Sequence, residues 1–392
     1  MILTLQFLAW LLAIAWLFKF LETARGLPTV PNLLDPAYDR PPTGTPLLTV
    51  IVPARNEALN IGLCLGSLLN QDYPNLRILA VNDRSTDETG AMMETLAHAN
   101  PARLAVLHVT ELPPNWLGKT HAMALAARQA ISEQNPDFLL FTDADILFAP
   151  EILRRSLAQV VATGADHFVI LPTTLAKTAG EAMILSYLQV MSMWAARLWR
   201  IADPKAKRDA LGVGAFNMIR TTTYLDLGGF DATPMEVLED LTLGRRVKAA
   251  GLRQRVAVAP GAVCVHWAAG LFGIVNGMTK NLFAFFRFRP VLLLGGIAWF
   301  TLVCLAPVVF LAIPGTRIPA ILALLGVVGL YVLSGRVSRI SPWTVVAFPL
   351  SAALFVYSLL RSMVITLKNG GVEWRGTFYS LADLRRSARR RS

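Results

Sequence analysis

The stretch "FLLFTDADILF", residues 138–148, ends an apolar run in two aspartates one residue apart, Asp143 and Asp145. It sits in a chain of 392 residues that is 54% hydrophobic and only 16% charged. Similar runs surround it. "LLTVIVPA" (47–54) is followed by a predicted helix from Glu57 to Leu69, and "LRILAVND" (76–83) by one near 87–98. "RLAVLHV" (103–109) leads through a loop to a helix near 119–133, and "DFLLFTDAD" (137–145) to a helix near 150–163 and then "DHFVILPTT" (166–174). Continuous apolar strands separated by single helices predict a doubly wound α/β domain with a mostly parallel sheet covered on both faces.

Such a sheet binds ligands in the crevice outside the carboxyl ends of its strands. Asp143 and Asp145 fall there, as do Asp83 at the end of the second strand and Pro53, Arg55 and Glu57 in "PARNE" after the first. Two carboxylates held close together repel, and a hard divalent cation, Mg²⁺ or Mn²⁺, relieves the conflict. Sites for such ions take one or two carboxylates and leave the rest of the shell to substrate phosphates, so the Asp-Ala-Asp pair predicts a diphosphate ligand. Because the chain has no phosphate-binding G-x-x-x-x-G-K-[ST] loop, handling of ATP by a P-loop is excluded. Lys119 in "NWLGKTHAMALA" starts a helix, where it either faces a phosphate or is simply solvated. Glu239 and Asp240 in "MEVLEDLTLGRRVKAAG" either cap the helix they precede or supply a general base. "GVGAFNMIR" and "LGGFD" read as glycine-rich loops.

The rest of the chain points to a membrane. Mean hydropathy is +0.49, and residues 1–18 are free of charge before Lys19 and Arg25, which predicts a retained anchor over 1–22 with its N-terminus outside. A Pro-rich linker over 23–46 leads to a cytoplasmic catalytic domain over 47–265. "GLFGIVNGMTKNLFAFFRFRP" predicts an interfacial amphipathic segment over 266–290. Transmembrane helices follow over 291–367, from apolar runs at 291–313, 318–334 and 343–365, the middle one near the lower length limit. A basic tail over 368–392 ends the chain. Three crossings there would put that tail outside, against the positive-inside bias, so we expect it inside, with one run re-entrant or a fourth segment spanning. The net charge of +11 comes with no zinc-knuckle or recognition-helix pattern, so the expected partners are anionic membrane lipids and not nucleic acid. Cys64, Cys264 and Cys304 are scattered and predict small buried residues, neither a disulfide framework nor a thiolate metal site.

"VIVPARNE", "VNDRSTD", "TDAD", "GAFNMIRTTTYLDLGGFD" and "VLEDLTLGRRVKAAG", in this order over residues 48–251, resemble the family 2 glycosyltransferases of the GT-A fold. The resemblance implies a nucleotide-sugar donor held by Pro53, Arg55, Glu57, Asp83 and Asp143, a metal on Asp145, and Asp240 as the base. Lys119 and Lys280 join the donor set as residues near the diphosphate, and Glu239 is counted with the donor-binding residues. The membrane layout is similar to ceramide, carotenoid and bacterial hopanoid-associated glycosyltransferases, the last through "GMTKNLFAF" and "GVEWRGTFYSL". It implies a lipid acceptor and a multi-pass protein of the bacterial cytoplasmic membrane. The Q-x-x-R-W motif of processive polysaccharide synthases is missing, which argues against that activity. Trp374 and Tyr379 are expected as interfacial aromatics, with Arg375 reaching the active site as the alternative. The competing functions are transfer to a polyprenyl phosphate, which needs no base, and an inactive membrane scaffold that keeps the fold.

Overall fold

The structure, a computed structural model, describes residues 2–389, with the side chains of Lys280, Ala388 and Arg389 outside the described set. Helix α1 (Ile2–Gly26) comes first. Strand β1 (Leu48–Ala54), helix α2 (Ile61–Leu69), β2 (Leu76–Asp83), α3 (Thr89–Ala99), β3 (Leu104–Val109), α4 (Gly118–Gln134) and β4 (Phe138–Phe141) follow. Next are β5 (Ile146–Phe148), α5 (Ile152–Thr163), β6 (His167–Leu171), β7 (Thr173–Thr174), α6 (Ala179–Ala195), β8 (Asn217–Arg220), α7 (Thr221–Asp226), α8 (Glu239–Ala249), β9 (Gln254–Val258) and β10 (Val263–Val265). The last part holds α9 (Gly270–Phe285), α10 (Pro290–Phe300), α11 (Ala306–Phe310), α12 (Arg317–Ser338), α13 (Phe348–Lys368), the hairpin β11 (Gly371–Trp374) and β12 (Thr377–Ser380), and α14 (Leu381–Arg389).

Seven strands form the main sheet in the order β3-β2-β1-β4-β8-β6-β9. The pairings β1–β2, β2–β3, β1–β4 and β6–β9 are parallel, and apart from the edge strand β3, which is half-buried, their apolar side chains are buried on both faces as continuous runs require. The expected doubly wound, mostly parallel α/β sheet is therefore present. β8 departs from it: it runs antiparallel to both β4 and β6, in a segment expected to be a loop. Its glycine-rich approach hid a four-residue strand whose Met218 and Ile219 are fully buried.

The Pro-rich linker is more than a spacer. Leu33 is completely buried in the core, and the Leu33 N–H and Val258 N–H tie the segment to β9 through Val258 O (2.9 Å) and Pro31 O (2.8 Å). The three cysteines are free, with Cys64 and Cys304 buried.

Among the described residues four segments are long and apolar enough to cross a membrane: Ile2–Thr29, Pro290–Phe310, Arg317–Ser338 and Pro342–Lys368. The third is longer than its apolar run implied, because small and polar residues at its C-terminal end continue the helix. Helices α1 and α12 run in the same direction and pack closely, since Gly326 abuts the backbone of Trp16 and Gly329 the ring of Phe20. α10 and α11 are joined by a π-helical turn over Thr301–Leu305, where Trp16 Nε1 donates to Val303 O at 2.9 Å. α13 packs along α9, with the Phe283 N–H donating to Ser362 Oγ at 3.0 Å, and touches α6, where Ser351 Oγ donates to Met183 O at 3.2 Å.

Candidate active site

The loops after β1, β2 and β4 turn abruptly, and two of them use non-glycine residues in the left-handed region, Asn56 (φ 55°) and Arg84 (φ 55°). Backbone strain of this kind concentrates at functional sites. After β1 the turn delays α2 to Ile61, later than the expected Glu57, and swings Glu57 toward the sheet rim. After β4, Ala144 enters the core while the aspartates on either side of it face an opening.

That opening is a cavity of about 250 Å³ lined by Pro53, Arg55, Glu57, Asp83, Lys119, Asp143 and Asp145. Four separate segments meet there, as the positions of these residues at strand ends implied. Asp83 is buried and receives two hydrogen bonds from Arg84, Nε to Oδ1 at 2.8 Å and Nη2 to Oδ2 at 3.2 Å. Arg55 Nη1 donates to Thr377 Oγ1 (3.1 Å), while its Nε is buried with no partner among the described residues. A buried donor left over in a cavity wall is a group waiting for an acceptor.

Lys119 bridges Asp143 (2.6 Å) and Glu239 (2.6 Å). Burial works against its ammonium, but the charges of Asp143, Glu239 and Asp240 outweigh it and hold Lys119 well above its ordinary value. Burial and the nearby charges of Asp143 and Glu57 push the Asp145 carboxyl up to about 6. No cationic side chain lies within ion-pair distance of Asp145 among the described residues. The backbone is crowded here for a reason: a Cβ at Gly214 would meet Asp143 Oδ2 at 2.6 Å, and one at Gly118 would meet Asp83 Oδ2 at the same distance.

Glu239 and Asp240 lie elsewhere. They face a space of only about 10 Å³ behind Lys119, shared with Asn217 and Phe230. Burial, then the neighbouring Glu239, raises the Asp240 carboxyl far above the usual carboxylate range. Asp83, Asp145 and Asp240 therefore do not share one cavity; Lys119 is the residue that touches both. The backbone of Lys280 belongs to α9, and its side chain lies outside the described residues. His266 pairs with Glu181 (3.3 Å) and does not line the cleft, although its neighbour Trp267 does.

The wall opposite the sheet comes from the chain's C-terminal hairpin. Arg375 (φ 50°) and Gly376 (φ 72°) form its two-residue turn, both in the left-handed region that such hairpins require. Arg375 pairs with Glu57 and donates to Arg55 O at 2.6 Å. The Gly118 N–H donates to Tyr379 Oη at 3.1 Å, and Trp374 lines the cavity. Trp374 and Tyr379 thus line the cleft, and the Arg-Gly pair in "EWRGTFY" was the one signal of the turn that carries them there. Arg84 had no such signal.

Among the described residues no three His, Cys, Asp or Glu side chains converge to hold a metal ion unaided. The carboxylates at the cleft fit an ion whose shell a ligand completes: the donors are oxygens, and Asp145 sits in excess negative charge.

Residues 49–181 match the family described as Glycosyl transferase family 2. The chain is 25% identical over 351 residues to the 4,4'-diaponeurosporenoate glycosyltransferase of Staphylococcus aureus (strain bovine RF122 / ET3-1), a match that covers 86% of this chain and 88% of the relative. The same enzyme of strain USA300 is 24% identical over 346 residues, with the same coverage. Among solved structures the chain resembles the mannosyltransferase PcManGT from Pyrobaculum calidifontis, in complex with GDP-Man and Mn²⁺. The TM-score is 0.55 at 19% identity, over 93% of this chain and 99% of the other, a likeness of fold.

Proposed function

From the premise that the chain belongs to the family 2 glycosyltransferases of the GT-A fold, we propose that it transfers a sugar from a UDP-sugar to a lipid hydroxyl at the membrane surface, with inversion. The observation that carries this reading is the convergence of Arg55, Glu57, Asp83, Asp143 and Asp145 on one cleft that the membrane-borne C-terminal hairpin closes. A carotenoid-glycosylating relative supports a lipid acceptor.

In the proposed reaction the nucleoside lies against Pro53, Arg55 and Asp83, and Lys119 meets the diphosphate. Asp145, with Asp143, would hold Mg²⁺ or Mn²⁺, which supplies charge stabilisation to the departing diphosphate. Asp240 takes the proton of the acceptor hydroxyl as that oxygen bonds to the anomeric carbon and the carbon's bond to the phosphate oxygen breaks. A raised carboxyl is suited to this work, because a base poised near neutrality accepts a proton more completely than an ordinary aspartate.

Contacts support one membrane arrangement. Just before α13, Arg339 packs on Gly261 of the catalytic domain, and just after it the hairpin closes the cleft. Both ends of α13 therefore meet the same domain. This supports three crossings, by α1, by α10 with α11, and by α12, with α13 lying along the interface beside α9. The tail and the catalytic domain then share the cytoplasmic side.

The test is incubation of the detergent-purified protein with labelled UDP-glucose, UDP-galactose, UDP-GlcNAc and GDP-mannose and a total lipid extract, followed by mass analysis. A divalent-ion-dependent glycolipid from a UDP-sugar is the expected product. Neither glycolipid nor nucleotide release from any donor would refute the reading.

A further inference from the structure

A second cavity is larger than the cleft at the sheet rim. It is a groove of about 770 Å³ between α8, the C-terminal end of α9 and α14. Four guanidinium side chains line it, those of Arg245, Arg246, Arg287 and Arg386, against two acids, Glu236 and Asp383. The acids and two of the arginines are already engaged. Glu236 accepts from the Leu238 N–H and Thr242 Oγ1, Asp383 from Ser380 Oγ with Arg386 at 3.7 Å, and Arg246 donates to Gly229 O and Leu227 O. Arg245 and Arg287 are left with no acid within ion-pair distance among the described residues. Desolvation in the groove, then the charge of Arg287, pulls the Arg245 guanidinium below its ordinary value.

The surroundings bear on which anion fits. Arg287 lies three residues before Pro290, where the apolar segment of α10 and α11 begins, and the exposed ring of Phe285 stands on the same wall. Two cations with no acid partner among the described residues, beside an aromatic ring and the start of an apolar segment long enough to span, match an amphiphile whose charge sits at headgroup depth and whose chains run along that segment. We propose that this groove binds the phosphate headgroup of an anionic membrane phospholipid through Arg245 and Arg287. The proposal rests on the membrane placement given above but not on the transfer reaction. The occupied groove borders Val237 and Leu238, the residues that lead into Glu239 and Asp240.

The test uses the full-length protein in detergent, titrated with phosphatidylglycerol or phosphatidylcholine and read by native mass spectrometry, which needs no enzymatic turnover. Each arginine at an anionic lipid surface is worth enough that the pair is expected to favour phosphatidylglycerol by about thirtyfold. The Arg245→Gln/Arg287→Gln protein should lose that preference, and Arg245→Lys/Arg287→Lys should keep most of it. Lys207→Gln/Arg208→Gln, an equal charge change at exposed positions elsewhere, should leave it intact. Equal retention of both lipids by the wild type, an unchanged preference in the Gln pair, or an equal loss in the Lys207/Arg208 control would overturn the proposal. So would displacement by millimolar glycerol 3-phosphate, which would mark a soluble anion, or by addition of UDP-sugar, which would mark the groove's lipid as the acceptor. Activity lost with any donor while the lipid preference persists would count against the transfer reading alone.

Discussion

On one side of Lys119 the carboxylates of Glu57, Asp83, Asp143 and Asp145 line an open cleft of about 250 Å³, while on the other Glu239 and Asp240 face about 10 Å³. The open side is built: Arg84 fixes Asp83, the hairpin fixes Glu57, and a Cβ at either Gly118 or Gly214 would strike a carboxylate. The closed side holds a raised carboxyl with no room for a substrate. In the proposed reaction the donor therefore meets a formed site, whereas the acceptor reaches Asp240 only when the wall around it, which includes Lys119 and Phe230, gives way. A diphosphate that draws Lys119 from Glu239 would start that opening.

The sharpest way to break this comparison is to remove the base. Asp240→Asn is expected to lower kcat by about 10²- to 10⁴-fold while leaving donor affinity within about twofold, because it changes only the closed side. Polyprenyl-phosphate transfer, which needs no base, predicts near-normal turnover instead. Steady-state kinetics with separate donor titration reads both outcomes. On the open side, Asp145→Asn is expected to reduce kcat/KM by about 10²- to 10³-fold and to abolish the response to added Mn²⁺. An unchanged Mn²⁺ titration would remove Asp145 from the metal role.

Much of this division was legible from residue order. Strands that are buried on both faces must read as unbroken apolar runs, so the loops at their carboxyl ends, and with them Asp83, Asp143 and Asp145, are legible from the sequence. The depth of Asp240 is not, since an acid pair at a helix start looks the same whether it faces solvent or a closed wall. β8 escapes the sequence because four residues after a glycine-rich stretch carry too little pattern. Trp374 and Tyr379 read as interfacial aromatics because a local pattern after an apolar run does not tell which surface the chain meets next, and only the Arg-Gly turn in "EWRGTFY" pointed to the hairpin that brings them to the cleft.

The hairpin supplies a smaller test of how preformed the open side is. Arg375→Ala removes the pairing to Glu57 and the bond to Arg55 O, and is expected to raise donor KM about tenfold with a smaller change in kcat. Quenching of Trp374 by UDP gives an independent measure. If KM is unchanged, the hairpin is packing and not part of the donor site.

The smallest effect concerns stability, and its sign separates the closed side from the sheet behind it. Asp240 has a folded pKa raised above its ordinary 3.8, so the folded state binds the proton more tightly than the unfolded chain. Its contribution is complete below that ordinary value and is lost as pH rises toward neutrality. His167 is the opposite case: burial lowers it from 6.5 to about 4, although Asn217 and Gln254 bond both ring nitrogens. Its contribution is present above 6.5 and is lost as pH falls toward 4. Asp240→Asn should therefore raise the apparent Tm at pH 8 by about 2 °C and change it little near pH 4, where the native carboxyl is protonated in any case. His167→Gln should flatten the acid limb between pH 6.5 and 4 and leave the alkaline limb alone. Thermal scans of both variants across this range decide it, and an Asp240→Asn protein that is less stable at pH 8 would show that the buried carboxylate is satisfied in its ionised form, with Lys119 as its partner.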